Sequence, residues 1–276
     1  MFDAKKIKKS VATASGSIFL LENLRFLPGE EKNDEKFAKQ LASLGDLYIN
    51  DAFAVSHRAN ASVEAITKFL PSYAGLLMEK EIENLNKAIK KPKKPFVIIL
   101  GGAKISDKLG IIKNFKQKAD KFLIGGGIAN TFLVAEGLPI GNSIFEEKMV
   151  PEAKKLLKLP KIILPVDYAI ENKKILDIGP QTVENYASII KKAKTIIWNG
   201  PMGYFENPKF AKASKAIAEA VIKSKAFVVI GGGETTAIIH NSKFIIHNSK
   251  LFISTGGGAM LEYLAGKKLP GIEALK

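Results

Sequence analysis

FVIILGGAK, residues 96–104, is the stretch that decides the fold. Five apolar residues, three of them β-branched, run without interruption into two glycines and a lysine. A short apolar run bounded by turn residues reads as a strand buried on both faces, the signature of a parallel sheet. The same kind of run recurs toward the C-terminus at 122–124, 161–164, 195–198, 227–230 and 252–254. Helical spacing fills most of the intervals, over 106–118, 128–136, 146–157, 181–193, 208–223 and 257–265. Strand alternating with helix predicts a doubly wound α/β domain with a sheet of about six strands.

Five of these six runs enter Gly-rich turns: GGAK (101–104), GGG (125–127), NGPMG (199–203), GGGETT (231–236) and GGGA (256–259). One glycine after a strand is often only a tight bend. Five at the carboxyl ends of parallel strands share one sheet edge and line one crevice, where backbone N–H groups can approach a ligand closely. Helix N-termini that open there favour phosphate. No G-x-x-x-x-G-K-[ST] occurs and no glycine cluster completes G-x-G-x-x-G, which excludes a Walker-type site and counts against a dinucleotide dehydrogenase.

Working outward toward the N-terminus, 17–22 reads as a strand, Asn33–Leu44 as a helix with Phe37 and Leu41 on one face, and 46–50 as a second strand. A helix over 74–90 ends at KKPKKP (90–95), whose prolines and lysines mark a seam. The expected organisation is therefore an N-terminal domain over 1–73, an interdomain helix and seam over 74–92, a nucleotide-binding domain over 93–262 and a tail over 263–276.

The net charge of +15 comes from 40 lysines and only two arginines, Arg25 and Arg58. The lysines are spread over helix faces, whereas a nucleic-acid protein more usually clusters arginine with aromatic residues, so no nucleic-acid partner is expected. An arginine in so lysine-rich a chain suggests a need for its planar, two-pronged hydrogen bonding. There are no cysteines, which excludes disulfides and thiolate metal sites and makes the cytoplasm the expected location. No apolar run reaches the 18 or so residues of a membrane span, so no membrane partner is expected. A tandem repeat, HNSKFII then HNSKLFI (240–253), reads as local duplication in a loop.

Charged residues complete the crevice. Lys104 and Lys108, four apart after the Gly101–Gly102 turn, are expected on one face of an opening helix, suited to a polyphosphate and to a phosphoryl group in transfer. Glu234, after three glycines, is either a carboxylate favoured by the helix dipole or a holder of Mg²⁺ beside the phosphates. Glu206 either meets ribose hydroxyls or is simply solvated.

Taken in order, LLENLRF (20–26), NDAFAVSHRANAS (50–62), LMEKEIENL (77–85), LGGAKISDKL (100–109), WNGPMGYFE (198–206), GGGETT (231–236) and STGGGAMLEYLAGKKLPGIEAL (254–275) resemble the phosphoglycerate kinase family. The resemblance implies two doubly wound parallel-sheet domains, one for the acid and one for MgATP or MgADP. It implies reversible phosphoryl transfer between ATP and 3-phosphoglycerate, giving ADP and 1,3-bisphosphoglycerate. It makes Lys108 a ligand of the nucleotide and of the transferring phosphoryl group, with Lys104 assisting, and gives Arg25 and Arg58 the acid. Asn199 and Pro201 would line the nucleotide site, Glu206 would bind ribose, and Gly232, Gly233, Glu234 and Thr235 would hold phosphate and Mg²⁺. Glu234 stands where the family commonly has Asp, and Asn60 where it commonly has His. The family's Asp-Phe-Asn-Val-Pro and Ser-His-Leu-Gly-Arg-Pro segments do not occur here, so the resemblance implies an incomplete N-terminal domain. The alternatives are a kinase completed by a separately encoded N-terminal segment and a non-catalytic adenine-nucleotide-binding fragment.

Overall fold

The computed structural model describes residues 4–13, 16–241 and 249–276. The chain divides into two compact units, Met1–Ile82 with Lys267–Lys276, and Glu83–Gly266. Residues 242–248 of the repeat at 240–253 fall outside the described residues.

In the first unit, helix α1 spans Ala4–Thr13, and residues 17–23 have no regular structure. The strand expected over 17–22 is not formed. Ile18 and Leu20 are 99% and 98% exposed, and an apolar run becomes a strand only where a ladder and a core receive it. The Asn23 side chain instead accepts from the Arg25 N–H at 3.0 Å and starts a 3₁₀ turn, Leu24–Phe26. After α2 (Pro28–Glu31), Asp34 caps α3 (Glu35–Ala42) by accepting from the Phe37 N–H at 2.7 Å. Phe37, Ala38 and Leu41 of α3 pack with Ala61, Ala65 and Ile66 into the unit's core.

Strands β1 (Tyr48–Asn50) and β2 (Ser72–Ala74) pair in parallel, with Ile49 opposite Tyr73. β2 carries no sequence pattern that would announce it. Asp51 then accepts from the Met78 N–H at 2.9 Å in the first turn of α4 (Leu76–Lys90), the helix that runs from the first unit into the second.

The second unit holds β3 (Phe96–Leu100), α5 (Leu109–Phe115), β4 (Lys121–Ile124), α6 (Gly126–Ala135), α7 (Val150–Leu156) and β5 (Ile162–Ile163). It continues through an antiparallel hairpin, β6 (Tyr168–Glu171) and β7 (Lys174–Ile178), to α8 (Pro180–Lys192), β8 (Thr195–Asn199), α9 (Lys212–Lys223), β9 (Phe227–Gly231), α10 (Gly233–Asn241), β10 (Leu251–Ile253) and α11 (Gly258–Leu264). Six of these strands form one parallel sheet in the order β10-β9-β8-β3-β4-β5. β3 and β8 are buried along their whole length, β3 with an uninterrupted apolar run and β8 with Ile196–Trp198 between the buried polar Thr195 and Asn199. Val97, Ile99, Ile196 and Trp198 face the core with Tyr186 and Ile190 of α8 and Ile217 and Val221 of α9. On β3, Phe96 meets Phe115 of α5 edge to face at 5.5 Å. A last short helix, α12 (Pro270–Glu273), belongs to the first unit, where the Gly271 N–H donates to the Ser56 carbonyl at 2.9 Å.

Candidate nucleotide site

Strand order in the large sheet reverses between β3 and β8, since β4 and β5 extend from one and β9 and β10 from the other. A crevice opens at the carboxyl ends of strands at such a switch point. Its floor is the pair of glycine turns that follow those two strands. The Gly101 N–H donates to the Asn199 carbonyl at 3.0 Å and the Gly102 N–H to the Pro201 carbonyl at 2.8 Å. Gly200 has φ +91°, and a Cβ there would lie 2.2 Å from the Gly101 oxygen. No side chain fits between the two turns, which is why both must be glycine-rich.

Lys108 is buried at this floor. Its ammonium donates to the Asn199 Oδ1, and the Asn199 amide donates in turn to the Gly231 carbonyl at 2.6 Å. Burial pushes the Lys108 ammonium below the usual lysine range, while Asp107 and Glu234 partly restore it. Thr235, fully buried in the first turn of α10, accepts from the Gly200 N–H at 2.7 Å. Gly232 has φ +97°, and a Cβ there would stand 2.8 Å from the Asn199 amide nitrogen. One hydrogen-bonded network thus joins the turns after β3, β8 and β9.

Lys104 is placed otherwise than its spacing suggests. The helix begins at Leu109, and residues 103–107 form a loop in which the Ser106 N–H and Oγ donate to the two Glu146 carboxylate oxygens at 2.9 and 2.7 Å. Lys104 is therefore exposed and Lys108 buried, and the two do not share one helix face.

Beside this network lies a cavity of about 320 Å³. Gly102, Gly126, Pro201, Glu206 and Glu234 line it, along with Tyr168, Lys174 and Asp177 from the β6–β7 hairpin. Glu234 is exposed in the first turn of α10 and reaches toward Gly102. Gly233 has open space where a Cβ would go. The hairpin wall and Asp177 escape the sequence reading. The available signal was a carboxylate inside the strand-like run KILDI (174–178), just before Gly-Pro.

Arg25 and Arg58 lie in the first unit, both exposed, and neither is ion-paired among the described residues. Asn60, two residues beyond Arg58, is committed to structure. Its amide donates to the buried Glu30 Oε1 at 3.3 Å, and Ser62 donates to the same carboxylate from its N–H at 3.0 Å and its hydroxyl at 2.6 Å.

Glycine turns, a buried ammonium and a helix N-terminus converging at the switch point of a parallel sheet define a doubly wound α/β protein with the features of an anion-binding edge. The family model for phosphoglycerate kinase matches residues 2–267. Phosphoglycerate kinase of Moorella thermoacetica is 46% identical over 96% of this chain and 73% of its own length, and that of Koribacter versatilis 48% over 99% and 72%. The crystal structure of phosphoglycerate kinase from Pyrococcus horikoshii superposes with a TM-score of 0.86 at 36% identity, over 98% of this chain and 75% of that one. The structure from Coxiella burnetii gives 0.84 at 38% identity, over 94% and 73%. The chain belongs to the phosphoglycerate kinase family.

Proposed function

We propose that this chain binds ATP or ADP at the β3–β8 crevice and transfers the terminal phosphoryl group to and from 3-phosphoglycerate, the glycolytic reaction of its family. The observation that carries the reading is the Lys108–Asn199–Gly231 network at the switch point, beside a cavity with room for a nucleoside. In this reading the ring lies in the cavity and Glu206 meets the ribose. Asn199, Pro201, Gly232, Gly233 and Thr235 shape the phosphate end, and Lys108 neutralises charge on the group in transfer, with exposed Lys104 swinging in to assist. Positioning and charge neutralisation suffice, and no covalent intermediate is required.

Mg²⁺ fits the residues present. Such an ion is commonly held by one or two carboxylates together with substrate phosphates. Glu234 supplies one exposed carboxylate at a helix N-terminus next to the phosphate cradle. When bound there, Mg²⁺ would neutralise phosphate charge. Arg25 and Arg58 are free to grip the acid with paired hydrogen bonds. We place the reaction in the cytoplasm, with its soluble substrates; no described helix is long and apolar enough to cross a membrane.

A second reading is favoured by the first unit. Its parallel sheet has two strands, Ile49 and Tyr73 are 56% and 59% exposed on it, and Ile18 and Leu20 are bare. Parallel strands are ordinarily covered on both faces and paired at their edges. We propose that these groups receive further strands from a segment equivalent to part of the relatives' additional length, and that full turnover needs it. A coupled assay with ATP and 3-phosphoglycerate tests both readings. Turnover of roughly 1–100 per second by the monodisperse chain alone refutes the need for a segment. Failure to bind nucleotide at millimolar concentration refutes the site.

A further inference from the structure

Asp177 is a buried carboxyl that the reading above does not use. It is 4% exposed on β7 and lines the cavity. Oδ1 accepts from the Ile178 N–H at 3.0 Å, and Oδ2 accepts from the Ala213 N–H at 3.1 Å, in the first turn of α9. The N-cap residue of α9 is Ala211, whose side chain can accept nothing. Asp177 therefore does from a distant strand what a capping side chain ordinarily does locally: its carboxyl oxygen satisfies an orphan N–H at the start of a helix.

The loop after β8 rests on this junction. A Cβ on Gly203 would lie 2.3 Å from Asp177 Oδ1 and 2.5 Å from the Leu176 carbonyl, so the loop backbone lies flat on the carboxyl. The Tyr204 N–H donates to the Leu176 carbonyl at 2.7 Å, and the Met202 N–H to Ser214 Oγ of α9 at 2.9 Å. Three consecutive loop residues are thus fastened to the hairpin and the head of α9. The same loop presents Tyr204 and Glu206 to the cavity.

We propose that Asp177 is a positioning residue for the nucleoside end of the nucleotide, acting through α9 and Gly203 to hold the 202–206 loop against the cavity. This rests on the nucleotide reading and adds a residue to it. The phosphate end is built by a different network, through Lys108, Asn199 and Thr235, so the two ends can be separated experimentally.

The test is calorimetry on the full chain with MgADP and, separately, with magnesium pyrophosphate, which has no nucleoside. Asp177→Ala is expected to weaken MgADP binding roughly tenfold, in keeping with loss of a helix cap transmitted to the ligand. Pyrophosphate should be held within about twofold of wild type over that same comparison. Asp177→Asn keeps one acceptor oxygen and should fall between. Ser214→Ala removes the neighbouring fastening and should reproduce the selective loss, which decides the matter if Asp177→Ala does not fold. Unchanged MgADP affinity in folded variants, or equal losses toward both ligands, overturns this inference alone. Wild-type silence toward MgADP overturns the nucleotide reading and this inference with it.

Discussion

The Lys108 ammonium donates to the Asn199 side-chain oxygen, although 91 positions of sequence separate the two residues. The pair closes the switch point from below, with one partner following β3 and the other ending β8. A buried ammonium held by a neutral amide rather than a carboxylate keeps its charge available for an incoming anion.

Lys108→Ala is therefore expected to weaken MgADP binding by roughly tenfold to a hundredfold, the range for hydrogen bonds to a charged group. Asn199→Ala should weaken it less. In the double variant the losses should fall short of additive, because the two side chains act as one unit. Calorimetric titration of the four proteins measures the coupling directly, and strictly additive losses would show the pair to be independent.

Glu234→Gln should lower affinity for MgADP far more than for ADP in chelator, since only the metal complex needs the carboxylate charge. The amide keeps the size of the side chain and its place in the first turn of α10. Equal losses with and without metal would make Glu234 a helix-end carboxylate and nothing more.

Asp177 has a consequence for stability that is separate from ligand binding. Burial pushes its carboxyl up to about 7, with the Ala213 and Ile178 N–H groups opposing the shift. In the unfolded chain an aspartate ionises near 3.9. The folded state therefore holds the extra proton between those values, and its Asp177 contribution to stability is complete below about pH 4 and lost as pH rises through about 7. Chemical denaturation should show wild type losing on the order of 2–4 kcal/mol from this residue between pH 4 and 8. Asp177→Asn should flatten that part of the profile. An unaltered profile would mean that the group ionises normally.

Glu30→Ala should destabilise the first unit by roughly 3 kcal/mol, because the buried Asn60 amide and the Ser62 N–H and hydroxyl would all lose their acceptor. Tyr48, whose hydroxyl burial and Glu30 together push up to about 12, lies close enough to report the change. A shift of its ultraviolet titration back toward the ordinary tyrosine value should accompany the loss of stability. A variant as stable as wild type would show that water replaces the carboxylate without cost.

The large parallel sheet could be read from the chain because each strand is a closed local signal. FVIIL is apolar throughout, and IIW and FVVI are the apolar stretches of β8 and β9, the kind of short run that a strand buried on both faces uses. The glycine turns were equally legible, and they placed Gly101, Gly200 and Gly232 at one sheet edge without any knowledge of their partners. Local pattern failed where partners decide the outcome. Residues 17–22 have a strand's apolar content and no ladder to join, while Ser72–Ala74 is a strand because Tyr48–Asn50 lies beside it. Spacing of four put Lys104 and Lys108 on one face, but Glu146 holds Ser106 in a loop and the helix starts one residue after Lys108. Asp177 looked like one carboxylate among 27 acidic residues. Only the tertiary structure brings it to Gly203 and to the head of α9, because burial, and with it the cost of a charge, belongs to the packed assembly and not to any segment of the chain.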